Sequence, residues 1–155
     1  MGFFADHAGD GTLRKYRLYY IDMLVPVYWT DCDIDILWGG QTWKASPIIA
    51  GGVNNQPSGA VASFDYGDAD GTVFALLGAQ NGAELSPGAI YEAGFLLTNA
   101  SAVPDEVIQI FSGRIDRVQI STDQKDTITF TFMPPTIAAA AMLPTRLLAT
   151  LLRST

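Results

Sequence analysis

Charge is scarce in this chain. Only 16% of its residues are charged, against roughly 25% in an ordinary soluble domain, and so low a share points to surface that neighbouring subunits cover. Basic residues are the scarcer sign, nine against sixteen acidic ones, for a net charge of −7. Nucleic acid is held by clustered cations that displace counterions from phosphates, so direct nucleic-acid binding is not expected. The single cysteine, Cys32, allows no internal disulfide and no thiolate metal site, and suits assembly in a reducing cytoplasm. The single histidine, His7, has no base or nucleophile in register, which leaves histidine triads and multi-histidine zinc sites without material. No phosphate-cradling G-x-x-x-x-G-K loop occurs. Pro144 and Arg146 interrupt the best apolar run before the roughly 18 residues of a membrane span are reached. The start lacks a signal-peptide pattern, and Asp6 stands where a myristoylation motif has Ser or Thr. A soluble protein with no membrane partner is expected.

What is present is β-forming sequence. At 155 residues the chain suits one domain able to bury roughly two-thirds of its unfolded surface. Three segments are expected: an N-terminal arm over 1–14, a β-rich domain over 15–135 and a helical extension over 136–155. "RKYRLYYIDML" and "VYWTD" read as strands broken at Pro26. "DIDILW" alternates, placing Ile34 and Ile36 on one face and Asp33 and Asp35 on the other. Gly39-Gly40 supplies the positive φ values of a two-residue hairpin turn, pairing Trp38 with Gln41, Leu37 with Thr42 and Ile36 with Trp43. The two tryptophans are then expected on opposite faces, Trp43 as a core anchor and Trp38 as a subunit contact.

"SPIIAGGVNNQPSGA" predicts a short extended piece through Ile49 and then a loop. "VASFDYG" predicts a strand, and "DADGTVFALLGAQNG" one short helix capped by Asp70 and ended at Gly78 or Gly82. Three further strands follow, in "IYEAGFLLT", in "EVIQIFSGRIDRVQIST" with a kink or bulge near Gly113, and in "DTITFTFMP". Strands at this spacing predict an antiparallel β-sandwich or barrel. The closing "TIAAAAMLPTRLLATLLRST" predicts a C-terminal helical segment with Leu147, Leu148, Leu151 and Leu152 in one apolar stripe.

Motifs that carry chemistry are thin. Asp68 and Asp70 resemble the start of a calcium loop, but no acidic residue closes it, so a turn and helix cap is the better account. Asp31, Asp33 and Asp35 could in principle act as an acid–base pair or metal site, but a solvated strand or partner-facing surface is the better account of such an edge. Arg114 and Asp116 share a strand face, as a surface ion pair or with Arg114 at an interface. No catalytic, cofactor or metal residues are assigned, and no enzyme activity is expected. An alternative role is carbohydrate or receptor binding through Trp29, Trp38 or Trp43, since aromatic faces stack on ligands.

The order of "YYIDML", "YWTDCDIDILWGGQTWKASPI", "GGV", "DGTVFALL", "LSPGAIYEAGFLL" and "VIQIFSGRID" resembles the N-terminal domain of the lambda-type minor tail protein L family. It is also similar to related hub-type tail proteins of long-tailed phages and gene transfer agents. Trp38, Gly40, Trp43 and Pro47-Ile48 fill the places of that family's aromatic–x–Gly–x–x–aromatic turn and following Pro-Ile, and the likeness runs over roughly residues 16 to 147. It implies a tail hub-like β domain in an oligomeric ring of the tail tip or baseplate. Such a ring lies between the distal tail protein and the central hub, near the tape measure, in a virion assembled in the bacterial host cytoplasm. A trimer is expected over a hexamer, and a distal-tail or adaptor-type ring subunit is the related alternative. Phe3, Phe4, Trp38, Arg114, Leu147, Leu148, Leu151 and Leu152 are the implied interface residues. The family's iron–sulfur segment has no counterpart, so no cofactor is expected.

Overall fold

The computed structural model describes residues 13–56, 59–79, 83–96, 102–121 and 126–134. Phe3, Phe4 and His7 of the expected arm, and the expected C-terminal helix with its leucine stripe, lie outside the described residues, while the arm's last two residues, Leu13 and Arg14, already belong to the first strand. The strands are β1 (Leu13–Ile21), β2 (Val27–Thr30), β3 (Ile36–Trp38), β4 (Gln41–Ala45), β5 (Ile48–Gln56), β6 (Gly59–Gly67), β7 (Pro87–Leu96), β8 (Glu106–Ser121) and β9 (Thr127–Met133). Among the described residues there is one helix, α1 (Thr72–Ala79), which separates β6 from β7. The mainly β, sandwich-like architecture with one internal helix is the one the alternating sequence implies.

All nine strands join one open sheet in the order β3-β4-β2-β1-β7-β8-β9-β6-β5. Every pairing is antiparallel except the short one between β2 and β4, which run parallel through Trp29–Lys44 and Thr30–Ala45. The sheet curls on itself. Four strands separate β2 from β6 in hydrogen-bonding order, yet the ring of Trp29 on β2 lies 4.4 Å from that of Tyr66 on β6. The two ends are also joined by chain. β4 pairs with β2 and β5 with β6, and only the corner at Ser46 and Pro47 separates β4 from β5. Ser46 N–H donates to Thr30 O (2.9 Å) and Gly67 N–H to Pro47 O (2.8 Å), which fixes that corner to both sides.

The curled face encloses the larger core, built by the inward residues of six strands. Tyr19 and Ile21 of β1, Ile90 of β7, Phe111 and Ile115 of β8, Ile128, Phe130 and Phe132 of β9, and Phe64 of β6 meet Trp29 there. Phe64 stacks on Phe130 (5.1 Å) and lies 4.6 Å from Tyr19. Val73 and Leu77, one turn apart on α1, cover one part of this core. On β9 the expected alternation holds, with Ile128, Phe130 and Phe132 all buried.

Four local expectations are corrected. Residues 50 to 56 form most of β5 rather than a loop, because a continuous ladder with β6 overrides the poor strand propensity of Gly and Asn. On β8 the irregularities fall at Ile110 and Asp116, where the registers with β7 and β9 shift, and not at Gly113 between them. A side chain at Gly113 would collide with the Met133 carbonyl oxygen and the Phe111 ring, so Gly there serves close packing. The bulge at Asp116 also breaks the strand-face pairing expected of Arg114 and Asp116. The segment 31–35 is a bend rather than strand, leaving Ile34 44% exposed beside a fully buried Ile36.

The expected Asp70 cap is present, with a second acid beside it. Asp70 Oδ1 does accept the Thr72 N–H (3.1 Å). The stronger cap is Asp68, 1% exposed, whose two carboxylate oxygens accept the N–H groups of Val73 (3.0 Å) and Phe74 (2.8 Å). Charge-assisted bonds to first-turn amides satisfy orphan donors and oppose the helix dipole favourably. Replacing Asp68 with Ala should therefore cost about 2 kcal/mol, while Asp70→Ala should cost much less; urea denaturation of the two variants checks the order.

Candidate interaction surfaces

The β3–β4 hairpin is set by its turn. Gly39 and Gly40 have φ of +63° and +76°, the two left-handed residues a tight hairpin requires. The register is the one the turn dictates: Ile36 faces Trp43, Leu37 faces Thr42 and Trp38 faces Gln41. Directly opposed residues share a face, and so do residues two apart on a strand. Trp38 and Trp43 therefore lie on the same face of the ribbon, correcting the expectation that they diverge. Their rings are 6.0 Å apart, and the Trp43 indole N–H donates to Trp38 O (3.1 Å).

That face folds over the outer side of β1 and β7 and makes a second core with Tyr16, Leu18, Cys32, Ala93 and Phe95. Trp43 is its anchor, only 3% exposed. Trp38 is half-buried at the rim, 5.0 Å from Tyr91. Tyr28 meets the Trp43 ring edge-on (5.1 Å) and stacks on Tyr20 (5.1 Å). Together with Gln41 these five rings line an open cleft of about 320 Å³. Burial raises the Tyr20 phenol above its ordinary value, and Asp22 adds to the effect, so it remains a neutral hydroxyl at ordinary pH. Trp29 has no part in the cleft: at 7% exposure it belongs to the larger core and offers no face to a ligand.

The acidic trio does not converge. Asp31 Oδ1 accepts the backbone N–H of Arg17 (2.8 Å), Asp33 pairs with Arg14 (2.8 Å), and Asp35 takes the Ala45 N–H (2.9 Å) and the Lys44 ammonium (3.1 Å). Each carboxylate clips the bend to a different partner, on β1 or β4. Among the described residues no group of three or more His, Cys, Asp or Glu is placed to hold a metal ion. Arg114 is drawn inward, its guanidinium donating to Leu85 O (2.8 Å).

Exposed apolar side chains gather in patches. Leu37 (48% exposed) and Val103 (54%) line a hollow at the hairpin turn that meets the aromatic cleft at Trp38, Gly39 and Gln41, and Leu37 N–H donates to Ala102 O (2.8 Å). Phe74 and Ile120 flank a cavity of about 410 Å³ between the start of α1 and the β8–β9 end of the sheet. Leu24 and Val25 project at the β1–β2 turn. No helix among the described residues is long and apolar enough to cross a membrane.

Two outcomes follow from the hairpin. Trp43→Ala should cost about 4 kcal/mol and Trp38→Ala far less, as thermal melts will read. The Ala45 N–H and then Lys44 hold the Asp35 carboxyl below its ordinary 3.8. Its bonds therefore stabilise the fold above that value and are lost as pH falls through the lowered one. An Asp35→Asn variant should lose less melting temperature than the parent over that acid range.

The fold is similar to that of a chain in the solved structure of the virion of a native gene transfer agent particle. The TM-score is 0.66 at 14% sequence identity, and the match covers 93% of this chain and 47% of that one. This chain thus spans about half the length of its structural neighbour. No family model and no curated protein matches the sequence. At this identity the likeness is one of fold, a mainly β sheet domain shared over nearly the whole of the present chain.

Proposed function

We propose that the protein is a structural subunit of a phage-like or gene-transfer-agent-like virion. It forms part of an oligomeric ring at the tail tip, between the distal tail protein and the central hub, and works by packing and not by catalysis. The observation that carries this reading is the fold match over 93% of the chain to a component of such a particle. The low share of charged residues and the exposed Leu24, Val25, Leu37, Phe74 and Ile120 support it, because permanent assemblies bury larger and more apolar interfaces than transient ones. A rigid β body presenting apolar patches at separate edges suits a ring subunit, which must meet neighbours on two sides and layers above and below. In this role Trp38 at the hairpin rim and the sequence-level candidates Phe3, Phe4, Leu147, Leu148, Leu151 and Leu152 add contact area, whereas Arg114 acts within the subunit.

The test is assembly. Purified protein should form a discrete oligomer, a trimer, by light scattering, and mass spectrometry should detect the protein in particles purified from the cells that make it. Phe74→Asp should shift the oligomer towards monomer without lowering the melting temperature. A monomer at every concentration, together with absence from the particles, would overturn the proposal.

A further inference from the structure

We infer that the cleft between the β3–β4 hairpin and the β1–β2–β7 face is a binding site for a neutral saccharide. This goes beyond the assembly role and is independent of it. Three features of the cleft define the ligand. The first is the wall: Tyr20, Tyr28, Trp38, Trp43 and Tyr91 come from five strands and converge within 6.0 Å of their neighbours, ring to ring. Aromatic faces attract the C–H side of a pyranose ring by dispersion and by the partial charges of the π-system.

The second feature is polarity. The Trp43 ring is only 3% exposed and its N–H is committed to Trp38 O, so that indole backs the cleft, and the half-buried Tyr20, Tyr28, Trp38 and Tyr91 offer it their apolar surface. The Tyr20 hydroxyl is engaged by Asp22, so hydrogen bonding falls to the Tyr28 and Tyr91 hydroxyls and to the exposed Gln41 amide at the mouth, which can both donate and accept, as ring hydroxyls demand. A sugar has this same division, one apolar side and a rim of hydroxyls. The third feature is charge and size. No side chain lining the cleft is charged and the protein's net charge is −7, which disfavours anionic glycans. The volume of about 320 Å³ lies at the small end of ligand pockets, about 300–1,000 Å³, and suits one or two sugar rings.

A docked peptide fits less well. The exposed aliphatic side chains near the hairpin, Leu37 and Val103, line a neighbouring hollow that meets the cleft at Trp38, Gly39 and Gln41, and neither of them lines the cleft itself.

Tryptophan fluorescence reads the site directly, since Trp38 stands half-buried in the cleft wall with Trp43 behind it, while Trp29 in the larger core provides a constant background. Purified protein is titrated with glucose, galactose, mannose, N-acetylglucosamine and their disaccharides, and with a proline-rich peptide. At least one saccharide should give a saturable change. The affinity for it should fall about tenfold or more in Gln41→Ala and in Trp38→Ala, should recover in part in Trp38→Phe, and should be unchanged in Phe74→Ala. Gln41 is exposed, so its variant keeps the test valid where Trp38→Ala loosens the hairpin. Silence across the sugars, a response equal in Gln41→Ala and the parent, or saturation by the peptide alone would overturn the inference. None of these outcomes bears on the oligomer or on its presence in particles.

Discussion

Everything in this fold depends on β1 being buried on both faces. Tyr19 and Ile21 point into the curled interior, while Tyr16 and Leu18 point out beneath the hairpin, and all four are at most 5% exposed. Each such burial contributes roughly 1.5–3 kcal/mol relative to exposure, and neither set can reach water without exposing the other. A one-residue slip of β1 would exchange the two sets, so the registers with β2 and β7 are held from both sides at once. The consequence is a strand that acts as a party wall. One core closes the roll, the other fastens the hairpin and the aromatic cleft to it.

Much of this was legible from the chain. The alternation in "DTITFTFMP" marks β9 and its inward phenylalanines, and Gly39-Gly40 identifies the hairpin and its register, because local physics decides both. What escaped was decided at a distance. β5 carries Gly51, Gly52 and two asparagines, a composition that reads as loop, and becomes a strand only because β6 offers it a ladder. Asp68 caps the helix from a turn before it, across five and six residues, outside the reach of the usual cap spacing. The cleft was half visible: Trp38 and Trp43 stood out, but the phenols that complete it come from β1, β2 and β7. The one local clue was Tyr20 in "YRLYYID", set on the opposite face from Tyr19 by strand alternation.

The acids around the hairpin show how few charges the fold needs when each is well placed. Asp31 and Asp35 accept backbone N–H groups that no strand neighbour claims, and so finish hydrogen bonding where the ladder stops. A fold held by pattern, register and such end-caps tolerates wide sequence change, because many side chains satisfy the same periodicity. Sharing a fold at 14% identity fits that economy, and it places whatever distinguishes one such chain from another in loops and surface patches rather than in the roll.

The parallel contact between β2 and β4 is only two residue pairs long, the carboxylate clips lie in the bend beside it, and the roll is completed without β3. The hairpin is therefore an appended element on a self-contained frame. Its turn can lengthen, shorten or exchange its aromatics while the strands beneath keep their pairing. That separation lets one part of the molecule vary in sequence and length while the part that carries the roll stays still.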